Sequence, residues 1–417
     1  MRYFHRNMTS KLERMVGDFP TVYLSGARQC GKSTLVQKTL PSEGVNYLTF
    51  DTSVLRLAAQ RDPEGFVASL PKDRLNIIDE IQRVPEVFLL LKKGVDEGRR
   101  GGRGKSLFLL TGSANIFALP ELANAMVGRL AILTLHPFSA AEVARSEKNF
   151  IGELWNGKLA TKSVTRANVP EVIGSATFPE IALDPGRRSA WLDNYLETIL
   201  GRDAAELAKI RKPDVIRQLL VSLGGRVGSL LKDDNVMKET GMNQGTYQKY
   251  KAFCNAAFMT FEVQPWAKPN RLNKRFVKSK KIYFTDTNFL CFVLRRDLAD
   301  VHERDPVFMG HLFENFVASE IMKNIAALPG KFYVSHFNPV REDGREVDFV
   351  VEDGKGDALA IEVKLSASLD AQDFKNLEAC RDTLGDKFKR GIVLYTGENL
   401  APFGDRLWAV PVNTLWE

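Results

Sequence analysis

The sequence predicts an α/β chain of four units: a phosphate-binding core over residues 1–142, a mostly helical stretch over 143–212, a winged helix-turn-helix over 213–300, and a second α/β domain over 301–417. Three observations predict it. A glycine-rich loop at 26–34 follows an apolar run and opens a helical pattern. A short helix, a glycine turn and a polar-headed helix succeed one another from Asp233 to Ala257. Late in the chain, a hairpin of two apolar strands carries Asp348, Glu362 and Lys364.

The first unit opens with a helical lead-in over residues 1–19, then Val22-Tyr23-Leu24 with strand composition. Gly26-Ala27-Arg28-Gln29-Cys30-Gly31-Lys32-Ser33-Thr34 follows and fits G-x-x-x-x-G-K-[ST], the P-loop pattern. A helical period runs from Lys32 to Leu40 and stops before Pro41. The spelling has a chemical reason. Gly26 and Gly31 let the backbone curl until its N–H groups face phosphate oxygens at a helix N-terminus. Lys32 can reach the β- and γ-phosphates, and the Ser33 hydroxyl can ligate Mg²⁺. The nine residues from Gly26 to Thr34 are therefore the expected nucleotide cradle, with ATP and Mg²⁺ as its ligands.

A second strand is expected from Val45 to Phe50 and a third over Leu75-Asn76-Ile77-Ile78-Asp79, running into Glu80. Two acids at the end of an apolar strand suit the second half of a phosphoryl-transfer site. Asp79 would hold Mg²⁺ together with Ser33, and Glu80 would act as general base toward the attacking water. A fourth strand, Ser106 to Thr111, ends in Gly112-Ser113-Ala114-Asn115. A helix over Pro120–Val127 reaches Gly128-Arg129, and a fifth strand runs from Leu130 to Leu135. The basic, glycine-rich stretch 98–105 reads as a solvated loop. From Pro137 to Lys212 the pattern is mostly helical, with a polar break at 158–175. In the segment from Arg187 to Ile210, Trp191, Leu192, Tyr195, Leu196, Ile199 and Leu200 fall on one side.

Val215–Leu223 and Asp233–Thr240 read as helices, Gly241-Met242 as a tight turn, and Asn243 onward as a longer helix. That is a helix-turn-helix, in which Asn243, Gln244, Thr246 and Lys249 would face a DNA groove. Strands at Phe258–Val263 and Lys281–Phe284 suit a wing. The acid-free basic run Lys268, Arg271, Lys274, Arg275, Lys278, Lys280, Lys281 would meet the DNA backbone and contribute salt-dependent affinity. Winged helices also dock proteins, and that alternative stands beside DNA.

In the last unit a helix spans Val307–Ile325 and carries Glu314 and Glu320. The strands Glu346–Val351 and Leu359–Lys364 form a hairpin about Asp353-Gly354-Lys355-Gly356-Asp357. Strand alternation puts Glu362 and Lys364 on one face, and register can bring Asp348 beside them. Asp348 and Glu362 could then share a hard divalent cation, with Lys364 positioning or activating a water. A helix over 369–384 and a strand over 391–395 follow.

Composition narrows the class. The 417 residues are 44% hydrophobic and 26% charged, as in globular proteins, and carry a formal net charge of +7 that permits nucleic-acid binding. No apolar run approaches a membrane span, and the start of the chain lacks the apolar core of a signal peptide. Cys30, Cys254, Cys291 and Cys380 show no paired spacing, which argues against disulfides and zinc. The expected compartment is the cytoplasm, with no membrane partner.

Taken together, these motifs resemble a prokaryotic family of AAA-type P-loop ATPases that carry a winged helix and a C-terminal domain of restriction-endonuclease-like, D…E-x-K fold. The likeness covers nearly the whole chain, and local phrases such as Asp79-Glu80-Ile81-Gln82, Leu110-Thr111-Gly112-Ser113 and Ile361-Glu362-Val363-Lys364 carry it. The resemblance implies a P-loop NTPase (AAA+-like) core, a helical lid over 143–212, and a homo-oligomer, with a hexameric ring as one form. It implies a γ-phosphate sensor at Ser113 or Asn115, on a strand lying between the P-loop strand and the Asp79 strand. It implies an arginine finger at Arg129 entering a neighbouring subunit, with a surface arginine as the plainer alternative, and a second sensor at Arg188 or Arg202. Glu314 matches the acid on the first core helix of the nuclease-like fold. Cys30 stands where such ATPases have a plain apolar residue, so an exposed thiol there would make ATP binding sensitive to oxidation. Three functions follow as expectations: an ATP-driven motor remodelling or translocating DNA, branched DNA included; an ATP-regulated, metal-dependent DNA nuclease using Asp348, Glu362 and Lys364; and a nucleotide-controlled protein-docking switch.

Overall fold

A computed structural model describes residues 3–41, 43–102, 104–113, 128–158, 168–205, 210, 212–267, 279–338 and 346–417. The expected helix at 120–127, Asn115, and the basic residues from Lys268 to Lys278 lie outside them.

The first unit is a five-stranded parallel sheet in the order β2-β3-β4-β1-β5, built from β1 (Thr21–Gly26), β2 (Val45–Thr49), β3 (Leu75–Asp79), β4 (Phe108–Gly112) and β5 (Leu130–Leu135). Strands covered on both faces must be apolar nearly throughout, and β1, β3 and β4 are buried at every position. Alternation sorts their side chains between two layers. Val22, Leu24, Ile77 and Leu109 meet α1 (Thr9–Asp18) and α2 (Lys32–Thr39). Tyr23, Ile78 and Leu110 meet the long helix over Pro85–Arg100, which follows the short helices α3 (Ser53–Arg61) and α4 (Pro63–Ala68) and is called α5. The order puts β4 between β1 and β3, as the resemblance implied.

The next stretch is a run of short helices, α6 (Ala140–Val143), α7 (Phe150–Trp155), α8 (Val169–Ser175), α9 (Pro179–Leu183) and α10 (Arg188–Thr198). α10 passes into a single π-helical turn at Ile199–Asp203. α11 (Asp214–Gly224), α12 (Asp233–Thr240) and α13 (Gln244–Ala256) follow, with Gly241 left-handed (φ 65°) at the end of α12.

The antiparallel hairpin of β6 (Thr260–Pro265) and β7 (Lys281–Phe284) stands where a wing was expected, but it is not free. β6 runs parallel to β8 (Phe332–Phe337) through Gln264↔Ser335, so the hairpin completes an eight-stranded sheet in the order β12-β13-β11-β10-β9-β8-β6-β7. Ile282, Tyr283 and Phe284 explain this: three fully buried side chains in a row need cover on both faces. The other strands are β9 (Val347–Asp353), β10 (Ala358–Lys364), β11 (Phe388–Tyr395), β12 (Ala401–Pro402) and β13 (Leu407–Pro411). β8, β9 and β10 form an antiparallel meander, and α17 (Lys375–Leu384) leads to β11, which lies parallel to β10. Beyond α14 (Thr287–Val293) and α15 (Leu298–Arg304) comes α16 (Pro306–Ala327), the helix that joins the two sheets. Its Asn315 bonds Phe284 N (2.7 Å) and Phe284 O (3.2 Å) beside β7, and its Lys323 donates to Phe138 O (3.0 Å) beyond β5.

Candidate functional site

The P-loop closes tightly over β5. A Cβ on Gly26 would lie 2.2 Å from the Leu135 carbonyl oxygen, and Gly31 turns into α2 at φ 97°, a left-handed conformation that glycine adopts without strain. Lys32 is buried and donates to the Gly26 and Ala27 carbonyls at 3.0 and 2.9 Å. Ser33 Oγ donates to both Asp79 oxygens (3.2 and 3.0 Å), so the two expected magnesium ligands already meet. Two further groups hold Asp79: the Thr111 hydroxyl, by a short bond, and the Tyr47 hydroxyl at 2.9 Å. Burial first and Asp79 second push the Tyr47 phenol up to about 12, so it stays a donor.

Glu80 sits just past β3 in the left-handed region (φ 58°), which costs a non-glycine residue about 1–3 kcal/mol and needs support from its surroundings. Its carboxylate accepts from Gln82 Nε2 and from Ser113 Oγ (3.2 Å), while Gln82 also donates to Ser113 Oγ (2.9 Å). Burial works against its charge, but Lys32, Gln82, Arg28 and Arg83 outweigh it and hold Glu80 below the ordinary carboxylate range. A general base must be ionised to accept a proton, and Glu80 is. Ser113, expected as a phosphate sensor, lies at the end of β4 within reach of Glu80.

The loop forms the floor of a cavity of about 670 Å³, within the size range of small-ligand sites. Opposite stand Tyr3, Phe4, Phe138, Leu183, Trp191 and Tyr195, an aromatic wall with the composition a nucleobase needs. Trp191 and Tyr195 stack at 5.1 Å and 12°. Sequence reading saw them only as one side of a helix, and Tyr3 and Phe4 gave no local signal. Arg28, expected in the phosphate cradle, turns toward the π-helical turn and meets Asp203 in a two-pronged ion pair of 2.6 Å per bond. Gln29 lines the cavity in a left-handed conformation, and Thr34 lies beside it. Cys30 corrects an expectation: its thiol is fully buried and pushed up by burial, so oxidation has no access to it in the folded loop. Arg6, which sequence reading missed, braces the loop from behind, donating to Cys30 O (2.9 Å), His136 O (2.7 Å) and Glu142 (3.0 Å).

Arg129 lies just before β5, at the opposite end of the sheet from the P-loop, and pairs with Asp96 of α5 at 2.8 Å. Arg188 donates to the Gly174 carbonyl (3.1 Å), and Arg202 lies on the π-helical turn beside Asp203.

In the helix-turn-helix, Asn243, Gln244 and Lys249 are exposed on α13 and Thr246 is half-buried. The Asn243 side-chain Oδ1 caps α13 by accepting from Thr246 N (2.9 Å). Two lysines of the expected basic wing are held by acids of the fold. Lys280 pairs with Glu262 (2.7 Å), and Lys281 is buried at the second acidic site.

That second site gathers Asp348, Glu362 and Lys364 of the hairpin with Glu314 of α16, and adds Lys281, Tyr283 and Glu346. The Lys281 ammonium lies 3.1 Å from Glu314, 3.1 Å from Asp348 and 2.6 Å from Glu346. Tyr283 donates to Glu314 at 2.6 Å, and Val363 N donates to Asp348 at 3.0 Å where β9 and β10 diverge. Lys364 stands 3.5 Å from Glu362, whose second oxygen is buried without a partner. Burial and then Asp348 push Glu314 up to about 7, and the same two causes raise Glu362 well above the ordinary range. Asp348 and Glu362 were expected to share a divalent cation, and the Lys281 ammonium lies at Asp348. Among the described residues, no group of three His, Cys, Asp or Glu side chains is arranged to hold a metal ion. Sequence reading assigned Lys281 to the wing because its neighbours are basic; nothing local marks it as buried.

Comparison with known proteins bears on these units separately. Residues 18–144 match the family described as an AAA domain, 169–300 a domain of unknown function (DUF8612), and 309–415 another (DUF4143). The AAA match carries the nucleotide-binding expectation for the first unit. Uncharacterized proteins of Mycobacterium bovis and Mycobacterium tuberculosis are each 26% identical over 412 residues, 98% of this chain and 84% of theirs. Among solved structures, the Walker-type ATPase of Pyrococcus abyssi aligns at 15% identity and a TM-score of 0.42, over 70% of this chain and 96% of its own. A Thermotoga maritima RuvB variant aligns at 16% and 0.30, over 61% and 88%. No described helix is long and apolar enough to cross a membrane.

Proposed function

We propose that the chain is an ATPase that couples nucleotide hydrolysis to work on DNA. The observation that carries the first half is the convergence of Lys32, Ser33 and Glu80 on one cavity, with Asp79 held directly behind Ser33 and aromatic side chains lining the same space. The donor set fits ATP with Mg²⁺: Ser33 and Asp79 are two hard oxygen ligands in contact, and Gly26 lets the loop lie against β5 where a Cβ would strike the Leu135 carbonyl oxygen. Bound there, Mg²⁺ would supply charge stabilisation on the phosphate oxygens. Lys32 exchanges two neutral carbonyl partners for phosphate oxygens, and the loop amides and the α2 N-terminus hold the rest of the triphosphate. Tyr3, Phe4, Trp191 and Tyr195 embrace the base. Glu80 takes the proton of the attacking water, and Ser113 with Gln82 holds it until the nucleotide is seated.

The DNA half rests on the exposed head of α13, the basic content of 268–278, and the net charge of +7. Arg129 would complete the active site of a neighbouring subunit after leaving Asp96. Purified protein should turn over ATP, and one of duplex, single-stranded or four-way-junction DNA should stimulate it more at low than at moderate salt. Glu80→Gln should abolish hydrolysis while keeping ATP binding. Turnover indifferent to every DNA form, with no DNA binding at low salt, would sink the DNA half and favour a protein-docking switch.

A further inference from the structure

The second acidic site has the ingredients of a divalent-metal centre and a cation of its own already in place. Three carboxylates from separate elements, Glu314 on α16, Glu346 just before β9 and Asp348 on β9, surround one ammonium at 2.6 to 3.1 Å. That ammonium belongs to Lys281 of β7, a strand from the neighbouring helix-turn-helix unit, and it is nearly solvent-free. Two of the three carboxylates have a further donor. Glu314 accepts from Tyr283, and Asp348 accepts from the Val363 amide. Backbone crowds one side of it: a Cβ on Gly228 would lie 2.8 Å from Glu314 Oε2. The one acid left over is Glu362, with a buried, unpartnered oxygen on the same side of β10 as Lys364.

We propose that Lys281 is the resident cation of this site, so that the folded chain takes neither Mg²⁺ nor Mn²⁺ there, and that the site's work is to pin the β6–β7 hairpin to the C-terminal sheet. Mg²⁺ demands near-octahedral oxygen ligands at about 2.0–2.1 Å. Glu314 and Asp348 cannot close on such an ion while an ammonium stands between them, and a dication beside Lys281 would be repelled. The inference is independent of the ATPase reading and removes the metal on which DNA cutting at Asp348 and Glu362 would depend. It also implies a latent site: with Lys281 shortened, Glu314 and Asp348 lose the cation they share, and Glu362 adds its charge beside Asp348.

The test is Mn²⁺ binding to the nucleotide-free full-length protein, followed by the electron spin resonance signal of free Mn²⁺. Wild type and Glu362→Gln should bind the same amount, since any Mn²⁺ held by Ser33 and Asp79 is common to both. Lys281→Ala should gain an additional site at least about ten-fold tighter than any in wild type, and Lys281→Ala/Glu362→Gln should lose it again. Wild-type Mn²⁺ binding that falls in Glu362→Gln would overturn the proposal, and so would a folded Lys281→Ala protein that gains nothing. If Lys281→Ala does not fold, the wild-type and Glu362→Gln pair still decides: equal binding supports a resident ammonium, and a loss refutes it.

Discussion

Two buried lysines divide the molecule. Lys32 is held by the carbonyls of Gly26 and Ala27, and Lys281 by the carboxylates of Glu314, Glu346 and Asp348. A neutral carbonyl is a replaceable partner, because a phosphate oxygen offers the same lone pair with a charge behind it. Three carboxylates are not, because withdrawing the ammonium leaves buried charge uncompensated. The first lysine borders a cavity and waits for an anion. The second has its anions built in and serves as part of the framework. Residue type and burial are the same at both places; the charge of the partners separates a binding group from a structural one.

Exchanging each lysine for alanine should break this comparison most sharply. Lys32→Ala should cut ATP turnover on the order of 10²–10³-fold with little change in the melting temperature of the nucleotide-free protein. Lys281→Ala should do the reverse, costing about 3–5 kcal/mol in denaturant unfolding while the folded fraction keeps its turnover. A smaller effect is expected at Arg28, the loop residue whose partner is a carboxylate. A double-mutant cycle of Arg28→Ala and Asp203→Ala should give a coupling of about 1–3 kcal/mol in stability, which places this arm of the P-loop with the framework class. The pH dependence of stability separates the two regions. His136, beside the P-loop, is lowered to about 3 by burial and then by Lys323 and Arg6. Its neutral form stabilises the fold above the ordinary imidazole range, and that stability drains away as pH falls from about 6.5 toward 3, by at most ~1.4 kcal/mol per pH unit. Glu314, raised to about 7, has the opposite sign: its contribution is full below about 4.5 and is lost as pH rises toward 7. His136→Gln and Glu314→Gln should each flatten one limb of the stability–pH profile and leave the other.

Much of the fold was legible because local pattern and tertiary role agree. The P-loop spelling, the acids ending β3 and the β9–β10 hairpin are short-range signals: Lys32 and Ser33 open α2, Asp79 ends β3, and Glu362 and Lys364 lie at the end of β10. What could not be read depends on where distant elements pack. Arg6 reaches Cys30 and Glu142 across 24 and 136 residues, and no neighbour in sequence announces it. Asp203 lies on a π-helical turn that the 3.6-residue period cannot show. Lys281 was misread because charge in a run was taken as exposure, although Ile282, Tyr283 and Phe284 beside it are a buried strand. The aromatic wall of the cavity was half visible: Trp191 and Tyr195 were placed on one side of α10, but nothing in the period says that this side faces a cavity.

α16 has twelve buried residues spread around its circumference, so it is enclosed rather than laid on a surface. Nine residues, about 14 Å of helix, separate Glu314, which holds Lys281, from Lys323, which bonds the carbonyl of the cavity-lining Phe138. A fragment ending before Pro306 would lose the partners of Phe138, Ala140, Phe284 and Thr285 and open an apolar trench between the two sheets. For anyone dissecting the protein, the convenient seam in the sequence is the worst place to cut. For the chain itself, the nucleotide end and the hairpin end are inherited, expressed and unfolded as one piece.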